Sequence, residues 1–84
     1  VVVDQIGQCS SFGETSWAIK KGIFRTEDIY AEIGELTSGR KPGRTSAEEV
    51  TIYDATGVAI QDLAAAGLGF RIAEEQGVGC LVDL

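Results

Sequence analysis

The stretch GRKPGRTSAEEVTIYDATG, residues 39–57, decides how this chain is read. It sets three of the seven basic side chains, Arg40, Lys41 and Arg44, within five residues, then becomes an alternating apolar run and closes on Asp-Ala-Thr-Gly. Lys41-Pro42-Gly43 predicts a tight turn with Pro42 at its first corner and Gly43 free to take a positive φ. The alternation that follows predicts a strand with Val50, Ile52 and Asp54 on one face and Thr51 and Tyr53 on the other. From Gly57 the period becomes helical, through Val58, Ala59, Ile60, Leu63, Ala64, Leu68 and Ile72, which predicts a helix over 57–76 ended by Gly77. A strand that feeds a helix through a glycine presents free N–H groups and a positive dipole end, so 55–57 is where this chain offers an anionic or polar ligand a backbone contact.

Outward from that stretch, VVVDQ at residues 1–5 is a run of β-branched side chains that predicts a short, doubly buried strand of a parallel sheet, its polar end facing a loop. SSFGETSWAIKKG predicts a helix over about 13–21, with Lys20 and Lys21 in its last turn and Gly22 as its stop. RTEDIYAEIGELTSG predicts a second helix, capped by Thr26, carrying Ile29, Ile33 and Leu36 at helical spacing and ended by Gly39. VGCLVDL finishes as a short extended segment. The order strand, helix, helix, strand, helix defines an α/β class with too few strands to close a sheet, so strands from elsewhere are expected to cover the edge of VVVDQ. The small residues Ala59, Ala64, Ala65, Ala66, Gly67, Gly69 and Ala73 make the last helix a packing or interface helix.

Composition excludes several classes. Eighty-four residues, 44% of them hydrophobic, suit one small unit, and a chain of this size buries only about 60–65% of its unfolded surface. A net charge of −6 argues against a general nucleic-acid surface. No apolar stretch reaches the roughly 20 residues of a membrane span and no charged head precedes an apolar core, so the expectation is a soluble, cytoplasmic chain without a membrane partner. Cys9 and Cys80 show no metal-ligand spacing and there is no histidine, which argues against zinc and excludes Ser/His/Asp and Cys/His catalysis. Both thiols are expected to be free and inert. The absence of methionine and the opening on an apolar run lead us to expect a piece of something longer.

Over about forty continuous residues, 28–68, the chain resembles the C-terminal part of the ornithine cyclodeaminase and mu-crystallin family, which includes NAD-dependent alanine dehydrogenases and ketimine reductases. The resemblance rests on Ala-Glu-Ile-Gly-Glu, Gly-Arg-Lys-Pro-Gly-Arg-Thr-Ser, the strand, Asp-x-Thr-Gly and Ile-Gln-Asp in that order. VVVDQIGQCSSFGE and EEQGVGCLVDL extend it toward both ends. It implies about the last quarter of a longer chain: the last part of a Rossmann-type dinucleotide-binding domain over about 1–56, then a long packing and dimerisation helix with a C-terminal tail over 57–84. It further implies a homo-oligomer, a small amino-acid substrate and NAD as cofactor, with NADP left open, and places Ala55, Thr56 and Gly57 beside cofactor and substrate. Relatives often carry serine where this chain has Ala55, so a hydroxyl contact there is lost while a backbone contact survives. The family's phosphate loop, ribose-binding acid, substrate-binding basic residues and catalytic aspartate all fall upstream of Val1, so no catalytic residue and no metal ligand is expected here.

Other positions carry lesser readings. Gly-x-Gly at 67–69 falls inside a helix with no strand before it and is a very weak dinucleotide signal. Asp54 reads as the cap of a helix or turn, or as a ligand contact, and Asp62 as a partner of the helix dipole. Arg40, Lys41 and Arg44 read as ordering their loop against Glu48 and Glu49, Trp17 as a packing residue, and Tyr53 as either core or pocket wall. Two other readings stay open: a stand-alone truncated interaction or oligomerisation module, and an unrelated small α/β binding domain.

Overall fold

The computed structural model describes all 84 residues. Three parallel two-residue strands form the sheet, in the order β2-β1-β3, where β1 is Val2–Val3, β2 is Ala31–Glu32 and β3 is Tyr53–Asp54. Val2 stands opposite Ala31 on one side and Tyr53 on the other, and Val3 opposite Glu32 and Asp54. The ladders extend beyond the strands through Val2 N–H to Ile52 C=O (2.9 Å) and Tyr30 N–H to Val1 C=O (2.9 Å). The β-branched run therefore forms the central strand, as its apolar character on both faces requires.

Helices α1 (Ile6–Cys9) and α2 (Gly13–Lys20) follow β1 and cover the sheet face to which Val3 points. The core lies there: Val3 and Cys9 are fully buried, Ile29 joins them, and Val1, Ile6 and Phe24 pack around the edge. Helix α2 ends within a residue of its predicted boundary, where Gly22 N–H returns to Ile19 C=O at 2.9 Å. The single turn α1 stands where the polar end of VVVDQ is expected to face a loop.

The predicted helix starting at Thr26 is corrected by the structure. Its span divides into a 3-10 turn at Thr26–Asp28, strand β2, and helix α3 at Ile33–Thr37. Pairing with β1 competes with the helix and wins because it buries Ala31 completely and Ile29 nearly so. The helical spacing of Ile29, Ile33 and Leu36 arises because Ile29 serves the core while Ile33 and Leu36 line a cleft. Helix α3 begins where Glu35 Oε2 accepts the Glu32 N–H at 3.0 Å.

Two smaller corrections fall on the stretch 39–57. Gly43 does not take a positive φ; the chain turns instead at Gly39, φ 78°. Pairing in β3 covers only Tyr53–Asp54 because β1 offers only Val2 and Val3, so Val50 and Ile52 remain exposed.

The last helix, α4 (Ala59–Gln76), runs to its predicted end, closed at Gly77 with Val78 N–H bonded to Ala73 C=O at 3.0 Å. None of its residues is buried. The radius of gyration is 17.5 Å, against about 12 Å for a compact domain of this length. The accessible surface of 6583 Å² exceeds by a wide margin the roughly 4,800 Å² of a compact folded chain of this mass. Exposed apolar side chains of α4 and of the tail at 78–84, which forms no strand with the rest of the chain, contribute to this surface. No helix is long and apolar enough to cross a membrane.

Candidate functional site

An acidic residue ends or directly follows each strand, and the carboxyl edge of a parallel sheet is where such folds gather their functional loops. Asp4 follows β1, Glu32 ends β2 and Asp54 ends β3. All three carboxylates turn inward to bind backbone N–H groups of the connections that leave the sheet. Glu32 Oε1 accepts Ile6 N–H at 2.8 Å, at the start of α1. Asp54 Oδ2 accepts both the N–H (3.0 Å) and the hydroxyl (2.6 Å) of Thr15, in the first turn of α2. Asp54 thus caps a helix, as one of its two readings held, but the helix is α2, 39 residues away in sequence.

Asp4 is the centre of the edge. Its Oδ1 accepts Gln5 N–H (2.8 Å), Cys9 Sγ–H (3.0 Å) and Thr56 Oγ1–H (3.4 Å), and its Oδ2 accepts Gly57 N–H (2.7 Å). Burial by itself would raise the Asp4 pKa, but the bonds from Cys9, Gly57, Gln5 and Thr56 together outweigh it and hold the carboxyl below its ordinary value. Gln8 completes the set: its Nε2 donates to Thr56 Oγ1 at 2.9 Å and to Gly57 C=O at 2.7 Å.

Ala55, Thr56 and Gly57 therefore form a turn anchored from below, with Ala55 and Gly57 exposed and Thr56 half-buried. Gly57 has φ 91°, and a Cβ built on it would meet nothing within 4 Å. A close backbone approach by a ligand is open there. Gly13 is the reverse case: at φ 81° it approaches the turn so closely that a Cβ would lie 3.0 Å from Thr56 Cγ2.

Sequence reasoning missed Asp4, Gln8 and Thr15; Cys9, expected to be a free thiol, is free, buried and a donor to Asp4. The available signal was an aspartate directly after a β-branched run. Its partners lie up to 53 residues away.

The remaining candidates fall outside this edge. Tyr53 lines a cleft of about 510 Å³ with Val2, Tyr30, Ile33, Leu36 and Ile52. This makes it a cleft wall on the sheet face opposite Val3, since Val2 and Val3 alternate. Lys41 pairs with Glu35 at 3.6 Å and donates to Tyr30 C=O at 2.8 Å. Arg44 orders its loop through the carbonyls of Ser46 and Glu49 and the Thr51 hydroxyl, while the Glu49 carboxylate accepts Thr45 N–H; the expected charge pairs with Glu48 and Glu49 are not the contacts formed. Arg40 reaches Ser38 Oγ at 3.1 Å. Trp17 is 59% exposed with Lys21 Nζ 5.8 Å from its ring centre, which corrects its reading as a packed residue within this chain. Asp62 lies in the first turn of α4, where its charge complements the helix dipole, and Cys80 is an exposed free thiol.

The lowered pKa of Asp4 has a measurable consequence. A carboxyl with a depressed folded-state pKa contributes stability that is present above the ordinary carboxylate value and is lost as pH falls from about 4 through the folded pKa. In a pH titration followed by the amide signal of Gly57, the signal should move below about pH 4, and Asp4→Asn should remove that movement. A Gly57 signal that titrates identically in the variant would show that another group is being read.

A parallel sheet whose carboxyl edge carries an anchored, solvent-facing turn before a helix defines an open α/β architecture. Residues 1–76 match the ornithine cyclodeaminase/mu-crystallin family, and the chain belongs to that family. It is 46% identical over 79 residues to an alanine dehydrogenase of Archaeoglobus fulgidus, a match covering 94% of this chain and 24% of that protein. Two solved structures share the fold. Thermococcus litoralis Delta(1)-pyrroline-2-carboxylate reductase, in complex with NADH and L-proline, aligns with a TM-score of 0.80 at 34% identity, covering 96% of this chain and 25% of that one. The iminosuccinate reductase of Paracoccus denitrificans, in complex with NAD+, aligns with a TM-score of 0.79 at 39% identity, covering 100% of this chain and 26% of that one. The chain thus spans about a quarter of the length of the relatives it matches.

Proposed function

We propose that these residues form the C-terminal part of an NAD-dependent amino-acid dehydrogenase or imine reductase, supplying one wall of the nicotinamide and substrate pocket and having no activity alone. The observation that carries this is the exposed Ala55–Gly57 turn, held at the carboxyl edge of the sheet with open space at Gly57. The relatives bound to NADH and NAD+ support the choice of cofactor. The open space at Gly57 leaves room for a flat ring laid against backbone, and Ala55, Thr56 and Gly57 are the residues that would hold it.

When bound, NAD supplies the hydride acceptor for the α-carbon of a small amino acid, or NADH the donor to the matching imine. The residues present here bind and orient. The carboxylates of Asp4, Glu32 and Asp54 are engaged by backbone N–H groups, which gives them a positioning role. Acid and base groups come from the rest of the full-length protein. Residues 1–56 belong to its cytoplasmic dinucleotide-binding domain, and 57–84 pack against its other parts or a second copy.

The test compares two proteins. The isolated 84 residues should neither oxidise L-alanine or L-ornithine with NAD nor bind NADH more tightly than about 1 mM, since no phosphate cradle is present. The full-length protein should bind NADH at micromolar levels and turn over. Turnover by the isolated residues, or a full-length protein indifferent to NADH, would overturn the proposal.

The uncovered surface of α4 favours a second reading, a non-catalytic interaction or oligomerisation module. The same pair of measurements separates the two.

A further inference from the structure

We infer that Asp4 and Gln8 are positioning residues that fix the Thr56–Gly57 turn in its ligand-facing conformation, so that the turn meets cofactor through its exposed apolar surface and the open face at the Gly57 Cα, with the Thr56 hydroxyl and the Gly57 N–H and C=O all turned to the protein. This rests on the cofactor-facing role proposed for residues 55–57. The hydrogen-bond directions carry it. Thr56 Oγ1 accepts from Gln8 Nε2 at 2.9 Å and faces Asp4 Oδ1 at 3.4 Å and Cys9 Sγ at 3.6 Å, so its polar partners all lie toward the protein interior. Both sides of Gly57 are bound as well: its N–H to Asp4 Oδ2 at 2.7 Å and its C=O to Gln8 Nε2 at 2.7 Å.

These bonds hold a conformation the chain does not favour by itself. A glycine at φ 91° is free to rotate to many other states. Two residues from the first strand-to-helix connection, far away in sequence, remove that freedom. Cys9 Sγ donates to Asp4 Oδ1 at 3.0 Å and restrains the carboxylate, and Asp4 is itself buried. Bonds to a charged acceptor are among the stronger hydrogen bonds in proteins, so the Asp4 contact is the dominant restraint and Gln8 the second. A turn positioned in advance binds its ligand without first being ordered.

The experiment uses the full-length protein and NADH as probe, with three readouts: NADH affinity by fluorescence, the separate values of kcat and KM, and the thermal midpoint. Asp4→Asn and Gln8→Ala should each weaken NADH binding about tenfold, and their effects should be less than additive in the double variant because both restrain one turn. Gln8→Ala should leave the thermal midpoint within a few degrees of the parent, which separates positioning from a purely structural role. If the parent binds NADH and both variants bind it equally well, or lose affinity only in step with stability, the inference is wrong while the proposed function stands. If the parent itself does not bind NADH, both are wrong. Should Asp4→Asn fail to fold, Gln8→Ala alone decides by the same criterion.

Discussion

Gly13→Val is expected to be the most damaging single substitution in the sheet-edge region, with a loss of about 2–6 kcal/mol and collapse of the 55–57 turn. Two costs combine. A non-glycine residue held at φ 81° is strained by about 1–3 kcal/mol. In addition, its Cβ would stand 3.0 Å from Thr56 Cγ2 and 3.6 Å from both Asp54 carboxylate oxygens, an overpacking that costs about 1–3 kcal/mol when neighbours cannot move aside. Here they cannot move freely, because Thr56 is held by Gln8 and Asp4 and Asp54 by Thr15. Gly57→Val is the informative contrast: its φ of 91° carries strain, but the space around it is open. Thermal denaturation with NADH titration of the full-length protein should show Gly13→Val losing stability and binding together. Gly57→Val should lose binding more than stability. Equal stability losses at the two positions would mean that the close approach at Gly13 is relieved by a small shift.

The second large effect is on association. Helix α4 exposes Ile60, Leu63, Leu68 and Phe70 with no buried residue, and a soluble monomer does not readily tolerate several hundred Å² of such surface. The isolated chain is expected to self-associate, and light scattering should report a mass at least twice 8.9 kDa. Leu68→Glu or Ala65→Glu, whichever lies on the contact stripe, should restore the monomer without loss of helix content. A compact, stable monomer of the unmodified chain would refute this account of how α4 is covered.

The sequence was legible where local chemistry decides. Lys20 and Lys21 before Gly22, the glycines at 39 and 77, and the β-branched run of VVVDQ each mark a boundary through their own side chains or backbone, and those boundaries appear in the structure. Legibility failed where tertiary pairing overrides local pattern. Ile29, Ile33 and Leu36 fall at helical spacing, yet Tyr30–Glu32 pairs with β1 because Ala31 is buried there. The site divided in the same way. The Asp-Ala-Thr-Gly turn was visible as a strand leading into a helix, whereas Asp4, Gln8 and Thr15 act on partners between 39 and 53 residues away, a distance that no local motif encodes.

The central claim, that residues 55–57 form a wall of the nicotinamide pocket, is tested most directly by magnetic resonance on the full-length protein with a labelled Ala55 methyl group and saturating NADH. The account predicts a nuclear Overhauser effect between that exposed methyl and the nicotinamide ring protons, with shifts of the Thr56 and Gly57 amides on titration. Saturable NADH binding that leaves all three residues unperturbed would contradict it.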